Sequence, residues 1–118
     1  MTVNYVTPLT VLLSYPKAMT LSDYQAAAFR TINPALSNAD RLLDAAAGLA
    51  EEAGEVLGLV RKHRMQGRAL DAERLREELG DALWCLTIAA QSAGLTLDDV
   101  AAANVAKLQS RHPDGFRA

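Results

Sequence analysis

The chain has one cysteine among 118 residues, so no disulfide can close within it, a usage that fits a reducing compartment. Cys85 sits in the apolar run Ala82-Leu83-Trp84-Cys85-Leu86 with no histidine or basic cluster beside it, and it reads as a small buried residue rather than a reactive thiol. Aromatic residues make up only 5% of the chain and no segment alternates with a strand period, whereas alanine is abundant; that mixture suits closely packed helices. A basic excess is missing too: 12 Lys and Arg stand against 14 Asp and Glu, which argues against a general nucleic-acid binder. No apolar run is long enough to cross a bilayer, and Met1–Tyr5 lacks the basic start of a signal peptide, so the expectation is a soluble, cytoplasmic protein with no membrane partner. There is no Gly-x-x-x-x-Gly-Lys loop, which removes the P-loop enzymes.

What is present is helical. Half the residues are apolar, enough for the core of one domain. Residues 1–19 carry Pro8 and Pro16 without a helical period and predict an N-terminal arm; residues 20–118 predict a single domain. Thr20 with Asp23 three residues on predicts the start of a first helix running from Leu21 to Ile32, stopped by Pro34. A second helix starts after Ser37 or Asn38 and reaches Gln66, with Gly67 as its stop and Arg61, Lys62, His63 and Arg64 in its last turns. A third follows Asp71 and ends at Gly94, and a fourth follows Thr96 and ends near Ser110. The fold class expected is therefore all-α, a four-helix-type bundle around a long antiparallel hairpin of the second and third helices.

An internal echo carries the chemistry. Glu51-Glu52-Ala53-Gly54-Glu55-Val56-Leu57 in the second helix matches Glu77-Glu78-Leu79-Gly80-Asp81-Ala82-Leu83 in the third. Acids inside apolar helical runs are unfavourable unless paired or bound to metal. Glu52 and Glu55 are three apart, as are Glu78 and Asp81, so each pair shares a helix face. In an antiparallel hairpin the two motifs lie nearly level, and four carboxylates converge. Their mutual repulsion calls for a hard divalent cation: magnesium suits an all-oxygen set, and manganese can use the same ligands. Zinc fits less well without Cys or His, and a di-iron site would want Glu-x-x-His, which neither His63 nor His112 provides. Gly54 and Gly80 each cost a helix about 1 kcal/mol relative to alanine, and close approach of a backbone or ligand would explain them.

Glu51-Glu52-x-x-Glu55, then 22 residues, then Glu78-x-x-Asp81, resembles the signature of the MazG-like, all-α nucleoside triphosphate pyrophosphohydrolases. The resemblance spans roughly Leu21 to Phe116 and includes Tyr24-Gln25 and Asn104-x-x-Lys107-Leu108-x-x-Arg111. It implies cleavage of a nucleoside triphosphate to monophosphate and pyrophosphate, dependence on magnesium, and an obligate oligomer, a homodimer or homotetramer. By position it implies Glu52, Glu55, Glu78 and Asp81 as metal ligands, Glu51 as the base for the attacking water, and Asn104 and Lys107 as contacts to the triphosphate or sugar. Trp84, three residues past Asp81, and Gln25 are candidates for contact with the base, although a lone Trp in an apolar run is more often core. Two other readings fit the same residues: a non-catalytic helical homodimer that binds metal or a partner, and a pyrophosphohydrolase acting on phosphoribosyl-ATP. The alanines of the second helix, Ala45, Ala46, Ala47, Ala50 and Ala53, allow close helix contact and predict a dimer built on the second and third helices.

Overall fold

The computed structural model describes residues 18–117, and every regular element among them is a helix: α1 (Leu21–Phe29), α2 (Asn38–Gln66), α3 (Ala72–Ser92) and α4 (Leu97–Arg111). The predicted arm, apart from Ala18 and Met19, lies outside the described residues.

Each helix begins where a short polar side chain can take an orphan backbone N–H. Thr20 Oγ1 accepts from Asp23 N at 3.0 Å and Asp23 Oδ2 accepts from Thr20 N at 3.1 Å, a reciprocal capping box. Ser37, Asp71 and Thr96 accept in the same way from Asp40, Arg74 and Asp99. α2 stops at Gly67, whose φ of 66° is the left-handed conformation that glycine adopts without strain. α1 ends three residues earlier than its pattern predicts. Past Phe29 the chain tightens into turns in which Thr31 N and Ile32 N donate to the Ala28 and Phe29 carbonyls, while Thr31 Oγ1 donates to the Ala28 carbonyl at 2.7 Å and accepts from Trp84 Nε1 at 2.8 Å.

α2 and α3 make the most extensive contact in the fold. The less exposed side of α2 carries Ala45, Leu49, Glu52, Val56, Leu59 and His63, a helical spacing that faces α3. Position 48 of α2 lies against position 85 of α3, and position 52 lies beside 78 and 81. α1 packs on α3, and α4 touches α1 and α3 but not α2. The Gln25 amide ties this end together: it donates to Gln91 Oε1 at 2.8 Å and to the Leu95 carbonyl at 3.1 Å, and it accepts from Leu97 N at 2.7 Å.

The buried core is small. Ala28, Ala45 and Ile88 form its centre, with Tyr24, Ile32, Trp84 and Ala89 packed around them. Cys85 is buried and free, as its apolar neighbours predict. Burial, followed by the negative charges of Glu52 and Asp81, raises its thiol above the usual range and keeps it protonated.

The close approach expected at Gly54 and Gly80 is found elsewhere. A Cβ built on either would meet no atom within 4 Å, because both face away from the seam. The tight contact is at Gly48, where a Cβ would lie 2.8 Å from Cys85 Sγ. Gly48→Ala should therefore destabilise the protein by about 1–3 kcal/mol through overpacking, and Cys85→Ala in the same chain should recover most of the loss. Urea unfolding of the two single variants and the double variant measures this; a Gly48→Ala protein as stable as wild type would show that the seam yields freely. Gly54→Ala and Gly80→Ala should each add up to about 1 kcal/mol of helix stability. A loss in the same unfolding assay would mean that a second surface meets those positions.

Candidate metal centre

At one level of the seam between α2 and α3 three acids come together. There Glu52 of α2 meets Glu78 and Asp81 of α3, and one carboxylate oxygen from each lies within 4.8 Å of the others. The three-residue spacing of Glu78 and Asp81 puts both on the side of α3 that α2 covers. Glu52 and Glu78 are half-buried and Asp81 is exposed, so the cluster is open to solvent on its Asp81 side.

The electrostatics are those of acids forced together. Glu52 Oε2 is buried without a hydrogen-bond donor among the described residues. Two ionised carboxylates can only accept, and a proton on the pair turns the contact into a hydrogen bond. That bond to Glu78, then burial, then the charges of Asp81, Glu78 and Glu51 push Glu52 up to about 7 from its ordinary 4.5. Tyr24 stands beside the cluster from α1; burial first, then the Asp81 charge, raises its phenol and holds it neutral.

This donor set fits a hard divalent cation. Its atoms are all carboxylate oxygens, the orphaned Glu52 oxygen lacks a positive partner, and the site opens to water on one side, as an ion that keeps part of its hydration shell requires.

The other predicted site residues divide. Glu51 is exposed next to Glu52. Glu55 is exposed on α2 and lies outside the group that Glu52, Glu78 and Asp81 form. Asn104 and Lys107 come together on α4 with Leu95, Asp99, Val100 and Ala103, around an open groove of about 570 Å³. α4 does not touch α2, so within one chain the pair is not brought onto the helix that carries Glu52. Gln25 and Trp84 spend their polar groups inside the fold, on Gln91, Leu95 and Leu97 and on Thr31.

One neighbour of the acids escaped the motif reading. Arg74 Nη2 lies 3.7 Å from Glu78 Oε1. The signal was the spacing of four between the two residues, which places them on one helix face.

Residues 42–116 match the MazG nucleotide pyrophosphohydrolase domain. The matched stretch holds both acidic motifs, Trp84, Asn104 and Lys107, while Gln25 and the arm fall outside it. No curated protein and no solved structure shows significant similarity to the chain. With more than half its length under the domain and the paired acids meeting at the α2–α3 seam, the chain belongs to the MazG nucleotide pyrophosphohydrolase family.

Proposed function

We propose that the protein hydrolyses nucleoside triphosphates, ribo- or deoxyribo-, to the monophosphate and pyrophosphate, with magnesium as cofactor and manganese able to replace it. The observation that carries this reading is the convergence of Glu52, Glu78 and Asp81 around a buried, donorless carboxylate oxygen. Magnesium held there would neutralise charge on the phosphate oxygens, which is most of what phosphoryl-type transfer demands of a site. Glu52, Glu78 and Asp81 would hold the cation, with Glu55 on the exposed flank of α2 as a fourth ligand. Glu51, beside them and exposed, takes the proton of the attacking water. The water oxygen bonds to the α phosphorus as the bridge to the β phosphate breaks, and pyrophosphate leaves.

The working domain is residues 20–118, built on an antiparallel α2–α3 hairpin, an arrangement supported by the pairing of positions 48 with 85 and 52 with 78. The assembly is a homodimer or homotetramer. Its support is the thin core together with the exposed leucines of the long helices, among them Leu43 (71%), Leu57 (66%) and Leu79 (52%). Asn104 and Lys107, on a helix that does not pack on α2, contact the triphosphate from a second copy. With the polar groups of Gln25 and Trp84 engaged, contact with the base falls to the Trp84 ring. A buried, reduced Cys85 agrees with a cytoplasmic setting.

Incubation of the protein with the common ribo- and deoxyribonucleoside triphosphates and with phosphoribosyl-ATP, followed by ion-exchange separation, tests this. Monophosphate and pyrophosphate from a nucleoside triphosphate, abolished by EDTA, are expected. Turnover confined to phosphoribosyl-ATP would move the substrate, and no turnover of any compound would leave a binding module.

A further inference from the structure

The acids at the seam have one basic side chain in reach. Among the described residues, Arg74 is the only lysine or arginine within 4.0 Å of Glu52, Glu78 or Asp81, with Nη2 at 3.7 Å from Glu78 Oε1. The Glu78 side chain is 15% exposed and that of Arg74 54%, so the guanidinium reaches in from the surface to an acid that is largely covered. The Arg74 side chain makes no hydrogen bond among the described residues, and it can return to water by giving up this one contact. Arg76, two residues on, pairs instead with Glu73, and both of those side chains are more than half exposed.

We infer that Arg74 is a positioning residue that occupies Glu78 in the metal-free protein and yields it to a divalent cation, so that it sets the metal affinity of the site. The inference rests on the reading that Glu52, Glu78 and Asp81 hold such a cation. A fixed positive charge 3.7 Å from a ligand oxygen opposes the arrival of a second one and must move aside for it. Arg74 therefore steadies the empty cluster and weakens cation binding by the same contact. An ordinary surface ion pair would do only the first.

The test is manganese binding to the full chain without nucleotide, followed by calorimetry and by the electron paramagnetic resonance of free manganese, with melting curves in EDTA and in saturating manganese. Arg74→Ala should bind manganese about 1.5- to 5-fold more tightly than wild type, the range that loss of a partly exposed ion pair allows. Arg76→Ala, which removes the same charge on the outer face, should bind as wild type does. In EDTA the Arg74→Ala protein should melt below wild type, and in saturating manganese the gap should close. Arg74→Gln, which keeps much of the length and loses the charge, should shift affinity in the same direction and serves if the alanine variant does not fold. Equal or weaker manganese binding by both variants, or a melting deficit of the same size with and without metal, would overturn the role of Arg74 and leave the metal site standing. Wild-type protein that binds no manganese would overturn the metal reading itself.

Discussion

On the proposed function, Glu78→Gln should lower the turnover of nucleoside triphosphate by at least about 10²- to 10³-fold while the helical circular-dichroism signal stays that of wild type. Glu78 stands among three neighbours: Glu52 across the seam, Asp81 on its own face of α3, and Arg74. Glutamine keeps its shape and its place in the seam but brings an amide where a charged oxygen is needed. The fold does not need that charge, because apart from the Arg74 contact the surroundings of Glu78 at the cluster are other acids. Steady-state kinetics on folded protein decides the matter. A variant with wild-type turnover would remove Glu78 from the metal set.

Glu52 gives a second prediction, of opposite sign for stability and for activity. Its carboxyl titrates at about 7 in the folded protein, against an ordinary 4.5 that the unfolded chain recovers. The folded state therefore binds the proton more tightly, and the stability that this proton confers is fully present below about 4.5 and lost as the pH rises through about 7. In EDTA the melting temperature should fall across this window. Glu52→Gln, which mimics the protonated acid, should match wild type at the acid end, exceed it above neutrality, and have lost its turnover. Saturating magnesium should flatten the wild-type profile, since a cation relieves the same repulsion without a proton. Melting curves of the two proteins, with and without magnesium, make the comparison; parallel pH profiles for wild type and Glu52→Gln would show that the Glu52 proton is not what the fold responds to.

These effects trace back to features that the sequence states unevenly. The helix starts at Thr20, Ser37, Asp71 and Thr96 and the stop at Gly67 follow local rules, and each was legible because the capping partner lies within a few residues. The level meeting of Glu52 with Glu78 and Asp81 was legible for the same kind of reason: two short spacings and one short connection fix it. What the sequence did not disclose are contacts between residues far apart in the chain. Trp84 bonds to Thr31 just past the end of α1, and the Gln25 amide is claimed by residues at the far end of α3 and the start of α4. Gly54 and Gly80 invited an explanation by close packing, but the position that needs glycine is Gly48, because the side chain it faces, Cys85, comes from another helix. Glu55 shares a motif with Glu52 but is exposed, a difference that depends on how α3 covers α2 and not on the motif.

On the proposed function, the acids of α2 and α3 direct water to the α phosphorus of a nucleoside triphosphate. Turnover in ¹⁸O-labelled water with magnesium, read by mass spectrometry of the products, tests it most directly. Label is expected in the monophosphate and none in the pyrophosphate, with product from Glu78→Gln lowered at least about 10²-fold. Label in pyrophosphate or orthophosphate, or full turnover by Glu78→Gln, would contradict it.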